Sequence, residues 1–529
     1  MASGIDLNPP GNAASTRFGS DGVPWQGGRL RFLMVSYAFG AAAEVGARRI
    51  NAIAAHLATQ GHAVDVIYGE EPTASAASRQ LFQQWSAVRL FPVRDPPGQV
   101  TRRLVATKKG LQRLLEGKTS GSADPESTAE LRELGDMLVS ATGRFALPAG
   151  SATGEFQLAA TSSTGRFQVP PSSATGRFQL ALAALTRWPY RAYMSSVFSV
   201  NGKKRWARSA LLQGVRLGRQ NQYDGILSSG PPAVGNVVAA WLSARIKVPL
   251  AIDLRDPWNT NDMIGEPLAV ARWLDQNLER NCLNQASLIT CAAPGIQRRA
   301  ATQHPKLAPR LHLVLNGFDD CDRTVRPMPF GRLNLLYAGL LYLQRNPFPL
   351  LEALGRLVSR PEVDRSKVRF TLIGHCESWG GVKLAEWCRE AGMDDLISVR
   401  APVPRQELSR LRETANVLVN FSQGQPEQIP AKTFEMLASR RYLLTVTEDN
   451  SDTAKILRAA HVLGVVDDRV PEALDRALKD LYTRLVAPQW DTPNAAQSLV
   501  NDIDQFSRAR QNAVWYELLL RTFAAPAKD

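Results

Sequence analysis

The chain of 529 residues is too long for one ordinary hydrophobic core, which predicts two domains or more. Its 63 Lys and Arg residues against 49 Asp and Glu residues give a net charge of +14, which favours anionic partners such as nucleic acid, an acidic membrane surface or phosphorylated small molecules. Five scattered cysteines without a C-x-x-C pair argue against a disulfide framework or a zinc site, and no apolar run reaches the ~18 residues of a transmembrane helix.

The first half of the chain has the pattern of a parallel α/β sheet. Residues 1–29, rich in Gly, Pro, Ser and Asn and without the apolar segment of a signal peptide, are expected to be disordered, and we expect a cytoplasmic protein. The apolar run 30–37 predicts a buried strand, and the apolar spacing in 48–60 predicts a helix that ends at Gly61. Further strands are predicted at 63–68, 88–91, 225–228, 250–254, 287–291 and 312–315.

The second half repeats this pattern after a Pro-containing linker at 316–332. Its strands are predicted at 334–338, 369–373, 397–400, 417–420 and 443–446. Strands that alternate with helices twice over predict two Rossmann-like, doubly wound domains, 30–325 and 326–505, followed by a C-terminal helix and tail at 506–529. Because ligands bind beyond the carboxyl ends of parallel strands, two such domains predict a shared cleft.

A four-fold repeat interrupts the first domain. Units of the type Ala-Thr-Gly-Arg-Phe begin at Ala141, Ala152, Ser163 and Ala174, with a period of 11 residues. Such a period is also typical of right-handed coiled coils, but the Thr-Gly of each unit and the interspersed prolines oppose a helix. We interpret about 141–180 as a disordered, low-complexity insertion; a docking motif is the alternative.

Two loops of the first domain are candidates for ligand contact. The turn from Gly40 to Arg49, which includes Gly46, lies between a strand and a helix, where a phosphate or other polar group of an acceptor can bind, although it lacks a full G-x-G-x-x-G and could be a plain turn. Arg255 and Asp256 directly follow the strand at 250–254. Charges at that edge are costly unless they face a cleft or pair with each other or a neighbour, and we favour a site role.

The most informative motif in the second domain contains two glutamates. Glu427 and Glu435 are separated by seven residues, and Glu435 is expected in the first turn of a helix that packs Phe434 and Leu437 inward. A carboxylate at a strand-to-helix edge can accept two hydrogen bonds from a ribose diol. The other carboxylate can then lie against the reacting sugar.

These motifs together resemble glycosyltransferase family 4, whose members are retaining enzymes of the GT-B fold. Glu427 and Glu435 are similar to the family's E-x7-E motif, and residues 429–435 to its variant Ile-Pro-x-Lys-x-Phe-Glu. Further counterparts are residues 32–37, 49–64, 228–232, 255–258, 316–319 and 337–339. The resemblance extends from about residue 30 to residue 506, except for the repeat region.

The resemblance implies roles for individual residues. Glu435 would bind the nucleotide ribose, Glu427 would lie near the donor sugar, and Glu427 and Asp256 are the catalytic candidates. The family binds the diphosphate with an Arg/Lys pair, and this sequence departs from that pattern. Arg345 stands at the lysine position, but Leu340 occupies the arginine position. The predicted donor-binding residues are Gly339, Arg345, Gly374, His375, Lys432, Thr433 and Glu435, and the acceptor-side residues are Gly40, Gly46, Arg49 and Arg255.

The resemblance also implies a function: metal-independent, retaining transfer of a hexose from a nucleotide-diphosphate sugar to a saccharide or lipid-linked acceptor, in surface-polysaccharide or glycolipid synthesis. No metal or cofactor is expected beyond the donor substrate. The alternatives are a nucleotide-sugar 2-epimerase of the same fold and an inactive glycosyltransferase-like scaffold, which Leu340 would suit. Dispersed basic residues and the lack of a recognised module argue against nucleic-acid binding.

The segment 202–220 predicts an amphipathic helix. Trp206, Ala210 and Leu217 fall on one side, and at roughly 100° per residue the arginines share an arc of about 80°. These arginines are Arg205, Arg208, Arg216 and Arg219. The basic arc is either a solvated helix face or a contact with an anionic membrane, which would place the protein on the inner face of that membrane.

Overall fold

The computed structural model describes residues 28–40, 45–70, 80–94, 203–258, 269–323, 327–342, 344–460, 462, 464–470, 472–486 and 503–523. The disordered segment predicted at 1–29, apart from its last two residues, lies outside the described residues, and so does the repeat block at 141–180. The tail after residue 523 lies outside them as well.

The first sheet has seven parallel strands in the order β3-β2-β1-β4-β5-β6-β7. Its strands are β1 Arg31–Ser36, β2 Ala63–Glu70, β3 Val88–Arg94, β4 Gly225–Gly230, β5 Leu250–Leu254, β6 Leu288–Cys291 and β7 Leu311–Leu313. The accompanying helices are α1 Val45–Thr59, α2 Lys204–Gln220, α3 Val234–Ile246, α4 Ala269–Gln285 and α5 Pro294–Gln303. Every strand predicted from the sequence is present, with ends displaced by at most three residues.

The burial of these elements explains why the sequence forms them. All residues of β4 and β5 are buried, as expected for parallel strands covered on both faces. The helix α1 buries Ile50, Ile53 and Leu57 on one side, and Gly61 follows it with a positive φ of 87°, as a helix-ending glycine does. The helix α3 contacts both α2 and α4.

The second sheet has six parallel strands in the order β12-β9-β8-β13-β14-β15. The strands of this half are β8 Leu333–Leu340, β9 Val368–His375, β10 Ser378–Trp379, β11 Val382–Lys383, β12 Ile397–Arg400, β13 Val417–Phe421, β14 Tyr442–Val446 and β15 Val465–Val466. Its helices are α6 Phe348–Val358, α7 Leu384–Glu390, α8 Arg405–Thr414, α9 Ala431–Ala438, α10 Asp452–Ala459 and α11 Ala473–Val486. Sequence reasoning missed the two-residue strand β15 and the small β10–β11 hairpin, because segments so short carry no periodicity.

The last helix, α12 Arg508–Phe523, returns to the first sheet. It contacts α1 and β6, and the Trp515 indole donates a hydrogen bond to the Thr290 hydroxyl at 3.3 Å. At its start, the Arg508 guanidinium binds the Asp319 carboxylate at 2.7 Å. Ion pairing and apolar contact thus join the end of the chain to the first domain.

The two sheet domains share one continuous hydrophobic cluster. Ile296 and Phe318 from the first half belong to the same cluster as Ile429 and Phe434 from the second, and the rings of Phe434 and Phe506 are 5.8 Å apart. This contact fixes the carboxyl edges of the two sheets on either side of a cleft. Among the described helices, none combines the length and apolarity needed to cross a bilayer.

Candidate functional site

A cavity of about 810 Å³ lies between the carboxyl edges of the two sheets. Ten of the residues predicted for the site line it. They are Gly46, Arg49, Arg255 and Asp256 from the first domain, and Gly339, Arg345, Gly374, His375, Lys432 and Glu435 from the second. Residues far apart in sequence therefore meet where a doubly wound sheet binds its ligands.

The second-domain wall of the cavity includes bare backbone. Gly339, the last residue but one of β8, is paired in register with Gly374 of β9. Gly374 has a φ of +121°, and a Cβ on it would lie 2.0 Å from the carbonyl oxygen of Gly339. Only glycine fits this conformation and this close approach, so the cavity extends to the main chain of both strands.

Two cationic side chains stand beside this glycine pair. The Nζ of Lys432 is buried and has no hydrogen-bond partner among the described residues; it lies 4.4 Å from the centre of the Tyr337 ring. Burial and the neighbouring Arg345 hold the pKa of Lys432 well below its ordinary value. Arg345 packs over the Tyr342 ring at 4.4 Å and donates to Gln425 at 3.2 Å.

Glu435 is held between two arginines. It is the fifth residue of α9, so the expectation that it lies in the first turn was wrong: the helix begins at Ala431. Its Oε1 lies 2.5 Å from Nη1 of Arg48, which comes from α1 of the first domain, and its Oε2 accepts from Nη2 of Arg412 at 3.0 Å. Packing of Phe434 and Leu437 into the core confirms the predicted orientation of the helix.

Arg49 is committed to a buried ion pair. Its Nε and Nη2 bind the Asp253 carboxylate, with Nη2 at 2.8 Å, and its Nη1 donates to the carbonyl of Leu315 at 2.7 Å. Burial alone would raise the pKa of Asp253, but Arg49 and hydroxyl donors from Thr290 and Ser229 outweigh burial and lower it. Arg49 therefore lines the cavity while its guanidinium is used to stabilise the first domain.

Arg255 and Asp256 follow β5 and face the cavity, as the sequence suggested. Arg255 donates to the carbonyl oxygens of Gly230 and Pro231 and packs against Gly46, where a Cβ would lie 2.9 Å from its Nη1. Burial raises the pKa of Asp256, and the positive charge of Arg255 only partly offsets this effect. A carboxyl group with a raised pKa in a cleft is suited to proton transfer.

Three predicted site residues do not line the cavity. Gly40 has a φ of +88° and donates its amide to Asn51 at 2.9 Å. Thr433 is buried, and its hydroxyl accepts a hydrogen bond from Asn420 of β13 at 3.1 Å. Glu427 lies at the domain contact with its carboxylate 3.3 Å from Arg299 of α5. Their assigned roles stay predictions.

The contact around α5 joins the two domains near Glu427. The Gly295 amide donates to the Asp452 carboxylate at the start of α10, and Arg298 binds the same carboxylate at 2.6 Å. Asp452 is buried. A Cβ on Gly295 would lie 2.5 Å from Cα of Glu427, so glycine permits this close approach of the two domains.

Sequence reasoning did not single out several residues of the site. Arg412 lies in the last turn of α8, and only the tertiary fold brings it to Glu435. Arg48 is adjacent to the predicted Arg49, but only the tertiary fold brings it to Glu435. Tyr342 and Gln425, which contact Arg345, carry no motif signal.

One group among the described residues has ligand atoms close enough to hold a metal ion: Asp319, Cys321 and Asp322. Asp319 and Asp322 form a capping box on a 3-10 turn, and Asp319 also pairs with Arg508. Local structure accounts for these carboxylates, and none of the three residues lines the cavity.

The fold is the two-domain, Rossmann-like architecture of GT-B proteins, as predicted, and comparison with solved structures supports this. Anabaena HepE in complex with UDP-glucose matches with a TM-score of 0.53 and 12% identity, covering 93% of this chain and 99% of that one. Sucrose-phosphate synthase from Thermosynechococcus elongatus matches with a TM-score of 0.52 and 12% identity, covering 94% and 100%. The N-terminal domain of Candida albicans trehalose-6-phosphate phosphatase matches with 0.55 and 10%, covering 96% and 100%.

Identities this low establish likeness of fold. No family model matches the sequence, and a search of curated proteins gave no match.

Proposed function

We propose that this protein is a glycosyltransferase that moves a sugar from a nucleotide-diphosphate sugar to a saccharide or lipid-linked acceptor in the cytoplasm. The observation that carries this proposal is the interdomain cavity, in which the buried Nζ of Lys432, without a hydrogen-bond partner among the described residues, lies beside Gly339, with Arg345 nearby. Anabaena HepE, which shares the fold, is in complex with UDP-glucose, so uridine nucleotides are the first donors to test.

The cationic side chains suit the diphosphate of such a donor. The buried Nζ of Lys432 has no hydrogen-bond partner among the described residues and its pKa is lowered, so an anion placed there would stabilise its charged form. Arg345 lies close enough to Lys432 to affect its pKa, so a diphosphate bound at Lys432 would also feel the positive charge of Arg345. In a site that excludes water, such donors stabilise negative charge that develops on a leaving phosphate. We propose that they do so without a metal ion.

Glu435 is proposed to receive the ribose hydroxyls. An ionised carboxylate offers about four acceptor sites, so the two arginines on Glu435 leave capacity for a diol. Its position in α9, beside Lys432 on the same cavity wall, would place a ribose next to a diphosphate. This arrangement favours a nucleotide over a free sugar phosphate.

Asp256 is proposed to act on the acceptor. It lies on the first-domain side of the cavity, and burial raises its pKa, so its carboxylate is a stronger base than an exposed one. It would accept the proton of the acceptor hydroxyl as that oxygen bonds to the anomeric carbon on the same face from which the nucleotide diphosphate leaves, which retains the anomeric configuration. The family resemblance adds the proposal of a retaining hexosyl transfer in polysaccharide or glycolipid synthesis, with Glu427 near the donor sugar.

Two experiments test the proposal, first donor binding and then turnover. Thermal shifts with a panel of nucleoside diphosphates should identify one base, since a ligand at about a hundred times its Kd stabilises by ~2.7 kcal/mol. Donor sugar should then be consumed only when an acceptor is supplied. Epimerised donor without acceptor would instead indicate a 2-epimerase. If no nucleotide shifts the melting temperature, the protein is an inactive scaffold and the proposal fails.

A further inference from the structure

A second groove, of about 520 Å³, opens between α2 and α3, away from the residues that line the interdomain cavity. The residues that shape it are Arg208, Leu212, Val215, Arg216, Arg219 and Trp241. We call this set the α2–α3 face. It combines apolar side chains with arginines.

The apolar part of the α2–α3 face is exposed. Leu212 is 66% and Trp241 49% accessible to solvent, although α2 already buries Trp206 and Leu217 on its other side. The core therefore does not need Leu212 or Trp241. A large aliphatic side chain and an indole exposed together beside a groove indicate a surface that is covered by a partner.

The charge of the α2–α3 face has one sign. Neither α2 nor α3 contains an acidic residue. Arg208, Arg216 and Arg219 are exposed, and within the described part of the chain no carboxylate pairs with them. Arg245 and Lys247, exposed at the end of α3, extend the positive surface. The partner must therefore carry negative charge.

We propose that the α2–α3 face docks onto an anionic lipid bilayer. Leu212 and Trp241 would enter the region between headgroups and acyl chains, where an indole is favoured, while the arginines remain among the lipid phosphates. A nucleic acid would satisfy the arginines through its phosphates but leave Leu212 without an apolar partner. A bilayer surface complements this combination, because its anionic headgroups attract the arginines and its apolar interior accepts the exposed apolar side chains.

Sedimentation with vesicles tests the proposal. The full chain should bind vesicles of phosphatidylcholine and phosphatidylglycerol and not vesicles of phosphatidylcholine alone. Changing Arg208, Arg216 and Arg219 together to Gln should lower the binding constant about a hundredfold, because each basic residue near such a surface contributes several-fold. The double change Leu212→Ser and Trp241→Ser should weaken binding even at low salt, where electrostatic attraction is strongest.

A matched control carries Gln at Arg332, Arg389 and Arg410, three exposed arginines outside the α2–α3 face, and so has the same net charge as the triple variant. It should bind vesicles like the parent. Equal weakening in both triple variants would mean a general charge effect and would overturn the proposal. Binding to random-sequence DNA that the Leu212 and Trp241 changes leave intact, with no vesicle binding, would indicate a nucleic-acid surface instead. Nucleotide binding should be unchanged throughout, which keeps this test separate from that of the proposed function.

Discussion

Arg48 and Glu435 meet across the interdomain cavity, with Nη1 of Arg48 and Oε1 of Glu435 2.5 Å apart although 387 positions separate them in sequence. Both side chains are mostly buried, and Arg412 holds the second carboxylate oxygen. The residue proposed to bind the ribose is thus also a link between the two domains. A bound nucleotide would have to share Glu435 with Arg48 or displace it, which couples nucleotide binding to the domain contact.

Replacing Glu435 should weaken nucleotide binding without unfolding the protein. Each hydrogen bond from a ribose hydroxyl to a charged acceptor contributes ~1.5–3 kcal/mol, so Glu435→Ala should cost roughly one or two decades in affinity for the nucleoside diphosphate. Glu435→Gln should be milder, because the amide oxygen still accepts. Isothermal titration measures both, and Glu390→Ala, at an exposed position of α7, is the control. Unchanged affinity in Glu435→Ala would remove the ribose assignment.

Charge reversal at Arg48 should open the cleft. Arg48→Glu places a second carboxylate against Glu435, and like charges at that distance repel. Small-angle scattering should show a larger radius of gyration for Arg48→Glu than for the parent, whereas Arg48→Lys, which keeps the positive charge beside Glu435, should stay close to the parent value. If Arg48→Glu leaves the radius unchanged, the pair does not contribute to domain closure.

The fold was predictable because its determinants are local. Buried parallel strands such as β4 and β5 are short apolar runs, and the helix ended by Gly61 follows from apolar spacing and a single glycine. Most cavity residues were also predictable, since residues that follow parallel strands gather at one edge of a sheet. The pairing of Arg412 with Glu435 was not, because it depends on the angle at which two helices pack.

The sequence motifs also predicted site residues that do not line the cavity. Thr433 belongs to the same motif as Glu435, yet its hydroxyl is used between α9 and β13. Residues of one helix point in different directions, so membership of a motif does not place a side chain in the cavity. Glu427 lies in the loop before α9, and its direction depends on the contact with α5, which no local pattern encodes.

The glycine pair of the cavity wall should tolerate no side chain. In Gly374→Ala, the new Cβ would lie 2.0 Å from the carbonyl of Gly339 at a φ of +121°. Backbone strain of ~1–3 kcal/mol adds to a displacement of β8 from β9, so we expect a loss of stability of roughly 3 kcal/mol or more, with loss of nucleotide binding. Gly381→Ala has a positive φ but no atom within 4 Å, and should show strain alone. Equal urea midpoints for the two variants would contradict the close-approach argument.

Lys432→Met should separate stability from binding. Burial holds the pKa of Lys432 well below its ordinary value of ~10.4, so between the folded and unfolded pKa values the unfolded chain binds more protons and stability rises with pH. The methionine variant should lose this slope and be at least as stable as the parent at about pH 7, where the parent buries an unpartnered amine. Its affinity for a nucleoside diphosphate should fall at least about tenfold, as for the loss of one charged hydrogen bond.

The number of protons taken up on nucleotide binding independently checks the contact with Lys432. It is measured by isothermal titration of the parent with the nucleoside diphosphate in two buffers of different ionisation enthalpy. A diphosphate that meets Lys432 raises its pKa, so at a pH between the free and bound pKa values the parent should take up protons on binding and Lys432→Met should take up fewer. Identical proton uptake in both proteins would place the diphosphate elsewhere in the cavity.

Asp256→Asn should lower activity while it raises stability. If Asp256 is the base for the acceptor hydroxyl, kcat/KM should fall as the pH drops through its raised pKa, and the asparagine variant should lose ~10²–10⁴-fold in rate and the corresponding limb of the pH profile.

A carboxyl group whose folded pKa is raised contributes most to stability below its unfolded pKa of ~3.9, and this contribution is lost as the pH rises through the folded pKa. Above its folded pKa the parent therefore carries the cost of a buried carboxylate, and Asp256→Asn should melt at a higher temperature there but not in acid. Nucleotide affinity should not change, because Asp256 lies on the opposite side of the cavity from Lys432 and Glu435. An asparagine variant that turns over at the parent rate would assign Asp256 to structure and leave the acceptor proton to another group.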